Sequence, residues 1–132
     1  MTAAGEMQAI ASCEDDPQPA TPINLRHLTR MTLGDRGLER EVLQLFLRQS
    51  AMLLARLDSG DHASASVVAH TLKGSAKGIG AWRVAAAAEA VEVAAAREPD
   101  GLSASIAALT AAAAEARCRI DELLQAGRWN QP

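Results

Sequence analysis

Between Leu38 and Leu57 apolar side chains recur at Leu38, Val42, Leu45, Phe46, Met52 and Leu53, a spacing that belongs to an α-helix. Leu43, Leu47 and Leu54 fall on a second side of the same helix. It is therefore either buried between neighbours or carries a buried face plus an exposed docking surface. Asp58-Ser59-Gly60-Asp61 ends the pattern, and Asp61 is placed to cap the helix that follows, from about His62 to Lys77. That helix stops at Gly78-Ile79-Gly80. The next starts near Ala81 and runs to Arg97, with Trp82, Val84, Ala85, Ala88, Val91 and Ala95 inward, and is closed by Glu98-Pro99-Asp100-Gly101. The last runs from Leu102 to about Gln125 with Ile106, Leu109, Ala113, Ala116, Ile120 and Leu123 in register, and Gly127 ends it. Ahead of all four, Ile23 to Met31 reads as a short helix capped by Asn24, with Leu25 and Leu28 on one side and a break at Leu33 to Gly37.

Four long helices joined by short connections predict an all-α fold, an antiparallel up-down-up-down four-helix bundle with a short extra N-terminal helix. The bundle is expected over residues 23–126. Residues 1–22, whose stretch from Cys13 to Pro22 holds three prolines and three acids without an apolar period, read as a flexible tail, and 127–132 as a second tail.

Composition narrows the picture further. Aromatic residues are only 2% of the 132, with no Tyr, whereas alanine dominates the apolar share after residue 80. Alanine is the best helix former and a poor strand former, which argues against a β-sandwich or a parallel sheet. The formal charge of −3 provides no cationic field for nucleic acid. No apolar run approaches the roughly 18 uncharged residues a membrane span needs. Residues 1–12 lack the charged start and apolar core of a secretory signal. Cys13 and Cys118 make neither a disulfide framework nor a zinc site. A cytoplasmic monomer is expected, and the initiator Met1 with the polar ending Gly127 to Pro132 reads as a complete chain.

The chemistry concentrates in Ala69-His70-Thr71-Leu72-Lys73-Gly74-Ser75-Ala76-Lys77-Gly78-Ile79-Gly80-Ala81. At about 100° per residue with His70 at zero, Lys73, Gly74 and Lys77 fall within roughly 60° of it, and Val68, Leu72 and Ile79 lie on the opposite side. His70 is thus set facing solvent, flanked by two lysines above a residue without a side chain. Glycine in a helix interior costs about 1 kcal/mol relative to alanine, and at this position it clears space for something bulky to reach the imidazole. A neutral imidazole nitrogen is a competent nucleophile near neutral pH. Lys73 and Lys77 would disfavour the imidazolium by like-charge repulsion and would neutralise the charge of a phosphoryl group in transfer.

The segment His70-Thr71-Leu72-Lys73-Gly74-Ser75 followed by Ile79-Gly80-Ala81 resembles the signature of bacterial histidine-containing phosphotransfer (HPt) domains, with Phe46 and Val91-Glu92 similar to its flanks. The resemblance covers most of residues 23–125. It implies a four-helix bundle in which His70 is phosphorylated through Nε2, Lys73 is the electrostatic partner, Gly74 the clearance position and Gly80 the turn residue. Lys77, less diagnostic of the family, is auxiliary, and the acidic tail is no part of the pattern. A reversible carrier is implied, not an enzyme. Its partners are receiver domains of response regulators or hybrid histidine kinases, or in some cases a kinase ATP-binding domain. The chain itself binds no cofactor, and the receiver brings the Mg²⁺.

Other readings of the same residues are weaker. Gly74 to Gly80 matches neither glycine-rich phosphate-loop spacing, and no strand precedes it. Ser66 and His70 lack the orienting carboxylate of a hydrolytic pair. His27 and His62 read as structural or surface residues, and no metal-ligand spacing links the three histidines. Glu89, Glu92, Arg97 and Glu98 read as a solvated face, although Glu92 could also bond across the bundle. Phe46, Leu43 and Leu47 read as core, unless one side proves exposed beside His70 and becomes a receiver-docking patch. The rival from another class is a degenerate adaptor that binds a receiver or kinase without carrying phosphate, and a weaker one is a fragment of a kinase.

Overall fold

The computed structural model describes residues 21–58, 62–97 and 99–126. It contains a short helix α1 (Leu25–Met31) and four long ones: α2 (Arg36–Asp58), α3 (Ala65–Ile79), α4 (Trp82–Arg97) and α5 (Leu102–Gln125). Residues 1–20 of the tail expected over 1–22, the tail expected over 127–132, and the cap expected of Asp61 lie outside the described residues.

Each long helix packs on its neighbours in the chain, and α2 closes the ring against α5, so α3 and α5 stand diagonally opposed. The closest pair is α3 with α4. Its seam is built from Ala65, Ala69 and Ala76 on one side and Ala81, Ala85 and Ala88 on the other, all buried. Small side chains let the two backbones approach. Larger residues fill the centre, including Leu43, Leu57, Leu72, Leu109 and Ile120, each removed from water at a gain of about 1.5–3 kcal/mol. Among the described residues no helix is long and apolar enough to cross a membrane.

Local chemistry explains where the observed boundaries differ from those expected. Asn24 does cap α1, its side chain accepting from the backbone N–H of His27 at 3.0 Å. The next helix begins at Arg36 and not at Leu38, because the Asp35 carboxylate accepts from the Leu38 N–H at 3.0 Å and serves as its cap. Residues 62–64 form a single 3₁₀ turn, and α3 proper starts at Ala65. It then continues through Gly78 to Ile79, where Gly80 takes the left-handed conformation (φ 79°) and the N–H groups of Gly80 and Ala81 return to the carbonyls of Lys77 and Ala76. In α4 the inward row runs through Ala94, with Trp82 and Ala95 only half-buried.

The largest departure concerns α2. Two rows on this helix repeat every seven residues, Leu38-Leu45-Met52 and Leu43-Ser50-Leu57. Periodicity alone does not decide which turns inward. In the fold the second row is buried together with Phe46 and Leu54, whereas Leu38, Leu45 and Met52 are exposed. Of the residues first read as one face, only Phe46 is buried, with Val42 and Leu53 half-buried against the core.

The short helix α1 is fixed across the α3–α4 turn. The Asn24 N–H donates to the Gly80 carbonyl at 2.9 Å, and His27 Nε2 donates to the Lys77 carbonyl at 2.9 Å. The His27 ring meets Trp82 edge-on with centroids 5.0 Å apart. Leu28, fully buried, anchors the helix to the core.

Candidate functional site

The hairpin of α3 and α4 sets the geometry. His70 stands eleven residues before Ala81 and Glu92 eleven after it. Because both helices rise about 1.5 Å per residue from a common turn, the two side chains meet at the same level. The phase is right as well, since Leu72 and Ala76 on α3 and Val91 and Ala88 on α4 are buried, leaving His70 and Glu92 at the outer edge of the seam.

There Glu92 bridges two α3 residues. Its Oε2 accepts from His70 Nδ1 at 3.0 Å, and its Oε1 lies 2.8 Å from Lys73 Nζ. A carboxylate offers only acceptors, so Nδ1 carries the proton. In the neutral ring the lone pair then belongs to Nε2. The His70 side chain is 72% exposed, whereas those of Lys73 and Glu92 are 21% exposed. The ring is therefore held from below and open above.

The charges adjust to one another. The ion pair with Lys73 holds the Glu92 carboxyl below the usual range, partial desolvation works against this, and the bond from His70 adds to it. Reciprocally, Glu92 raises the Lys73 ammonium above its ordinary value despite desolvation, with a smaller contribution from Glu89.

His70 divides the outer surface of α3 into unlike flanks. On the α4 side lie Lys73, Glu92 and Glu89. On the α2 side lie Val67, Thr71, Gly74 and Gly78, all exposed and none charged. A Cβ built on Gly74 meets nothing within 4 Å, so no neighbour in the chain requires glycine there. The cost of about 1 kcal/mol for glycine within a helix is spent on open space above the seam, next to His70. Gly78, expected to stop the helix, is instead a second helical glycine with nothing within 4 Å. Gly80 differs from both. A Cβ there would lie 2.8 Å from the Asn24 carbonyl oxygen, so its bareness serves the packing of α1.

Lys77 does not join the cluster. Its side chain is exposed two turns along α3, and its backbone carbonyl instead receives the bond from His27. On the other flank Ser75 Oγ donates to Gln49 Oε1 at 2.7 Å and ties α3 to α2. Among the described residues no three His, Cys, Asp or Glu side chains cluster as a metal site requires.

Glu92, read from sequence mainly as part of a solvated face, is the residue that unites the site. The signal for it lay in the equal spacing of His70 and Glu92 about the turn. Nothing in the sequence distinguished Gly78 from a helix stop, because the true stop stands only two residues later.

A family model described as Hpt domain matches residues 41–127 of the chain. No curated protein and no solved structure matches it.

Proposed function

Since the chain belongs to the Hpt domain family, whose members carry phosphoryl groups on a histidine within phosphorelays, we propose that His70 is the residue that accepts and returns the phosphoryl group. The observation that carries this reading is the His70–Glu92–Lys73 arrangement. One ring nitrogen is fixed as a donor by a carboxylate, the other is open to solvent, and an ammonium lies within the same cluster.

The partner is a receiver domain, bringing an aspartyl phosphate and the Mg²⁺ that orders it. Nε2 attacks phosphorus in line. The N–P bond forms as the P–O bond to the partner's aspartate breaks, and that aspartate leaves as a carboxylate. Positive charge grows on the ring during attack, and the Glu92 carboxylate on Nδ1 stabilises it. Lys73, released in part from Glu92, offsets the charge of the equatorial phosphoryl oxygens. Gly74 leaves the room that the phosphoryl group and the partner's loops need. Lys77 contributes at most a distant field. Read backwards, the same steps return the group to a receiver. No nucleotide chemistry is assigned to this chain, which acts as a carrier.

The test is transfer of radiolabel from a phosphorylated receiver to the wild-type chain and to His70→Gln. Label that is acid-labile, base-stable and absent from the variant, with circular dichroism unchanged, is the expected result. Receiver binding without label would replace the carrier by an adaptor.

A further inference from the structure

The pairing that builds the site leaves one carboxylate over. Glu89 stands eight residues after Ala81 and Lys73 eight before it, so these two are level in the hairpin just as His70 and Glu92 are. They do not pair. Cα–Cβ bonds tilt toward the N-terminus of their own helix, which carries Lys73 down α3 to the level of His70 and Glu92 up α4 to meet it at 2.8 Å. The same tilt takes Glu89 toward the turn, past Lys73. Glu89 is exposed and makes no hydrogen bond or ion pair with any described residue.

Its charge nonetheless reaches the site. Together with Lys73, Glu92, Val93 and Arg97 it lines one surface hollow beside the seam, and it adds to the field that holds the proton on Lys73. Along the helices Glu89 lies about 4.5 Å from the level of His70 and Glu92. The cations Arg97 and Lys77 stand farther from that level, at about 7.5 Å and 10.5 Å. Lys73 is already engaged by Glu92, so the nearest uncommitted charge on this flank is negative. A phosphoryl group on Nε2 would bring close to two more negative charges, and the opposite flank, toward α2, has no cation to receive them. At such separations, within about one Debye length, the repulsion is not screened away.

We propose that Glu89 lowers the affinity of His70 for the phosphoryl group and so tilts exchange toward the receiver, making this chain a donor that hands the group on. This rests on the carrier reading of His70 above. Glu89 touches none of the reacting atoms. It acts by its field, which opposes the phosphoryl charge and draws Lys73 back from it. In the favoured direction the N–P bond breaks, its electron pair returns to Nε2, and the phosphoryl group passes to the carboxylate of the receiver's aspartate. A charge that raises the energy of the phosphorylated form speeds this step relative to its reverse. A docking contact changes both rates by one factor and leaves the equilibrium where it was, so the equilibrium separates the two roles.

The experiment lets two chains compete for one pool of phosphoryl groups. Wild type is phosphorylated with phosphoramidate, freed of that donor and mixed with an equal amount of an isotopically heavy variant. A catalytic amount of receiver domain with Mg²⁺, the fastest-exchanging of a purified panel, then shuttles the group between them until the ratio read by intact mass spectrometry is constant. At about 20 mM salt the group is expected to favour Glu89→Gln over wild type about threefold and Glu89→Lys about tenfold, and in about 1 M salt both ratios should fall toward one. Arg97→Gln, which removes the opposite charge from the same hollow, should shift the group toward wild type. Glu122→Gln, exposed on the diagonal helix α5, should share it evenly. Even sharing by both Glu89 variants overturns the proposal. So does a preference that Glu122→Gln reproduces, which would assign it to net charge, or one that about 1 M salt leaves intact, which would assign it to a contact. Phospho-His70 that no receiver discharges overturns the tilt as well. A His70 that takes the group from neither phosphoramidate nor a charged receiver would remove the carrier reading itself, and this inference with it.

Discussion

Replacing Gly80 by alanine should destabilise the protein well beyond what a single added methyl suggests. The residue sits at φ 79°, a conformation that costs an L-residue about 1–2 kcal/mol. The new Cβ would stand 2.8 Å from the Asn24 carbonyl oxygen and 3.1 Å from Asn24 Cβ, and these belong to backbone and cap, which cannot swing aside as a flexible side chain would. Relief requires α1 to withdraw, stretching the Asn24–Gly80 and His27–Lys77 hydrogen bonds, each worth about 0.5–1.5 kcal/mol. Alanine also reduces the freedom of the unfolded chain, which returns about 0.4–1 kcal/mol. The net loss is about 3 kcal/mol, a large fraction of the roughly 5–15 kcal/mol that holds a domain of this size together. Urea unfolding followed by far-ultraviolet circular dichroism measures it, with the midpoint expected to fall and the slope to stay constant. A loss below about 1 kcal/mol would show that α1 is not clamped to the turn, and would refute the account of Gly80 as a packing glycine.

Three further outcomes follow from the site and the core. The lowered Glu92 carboxyl contributes stability that is complete above its ordinary value near 4.5 and is lost as pH falls through the folded value, so Glu92→Gln should narrow its stability gap to wild type in acid; a constant gap across that range would remove the ion pair as its cause. Gly74→Gln should slow phosphoryl transfer while leaving the unfolding midpoint unchanged or raised, since the added side chain meets no neighbour and helix propensity improves; wild-type transfer rates would end the clearance explanation. Leu28→Ala should cost about 3 kcal/mol, because a fully buried leucine is emptied at the junction of α1 with α3, and a midpoint close to wild type would mean that α1 contributes little to the core.

The bundle was legible in the sequence wherever one face was apolar and the other was not. In α5 every residue expected inward, from Ile106 to Leu123, is buried. In α2 both faces were apolar, and the choice between them depended on what α3 and α5 offered to pack against, which no local pattern records. His70 was legible because Val68, Leu72 and Ile79 oppose it on the same helix. Glu92 was harder, since its role depends on a second helix returning at the right height. Lys77 shares the phase of His70 on a wheel that ignores rise, and in the structure two turns of α3 separate it from the His70–Glu92–Lys73 cluster.

That return at the right height has a bearing on how such a chain can vary. His70 and Glu92 are paired by counting outward from one turn, so the hairpin acts as a ruler whose marks are residues. Deleting one residue between Ala81 and Glu92 would swing the carboxylate about 100° around α4 and lower it by about 1.5 Å. An insertion on the α3 side does the same to the histidine. Point substitutions can therefore accumulate along both helices, but changes of length between residues 70 and 92 are tolerated only where an insertion and a deletion cancel within one helix, or where both helices change by the same whole number of turns.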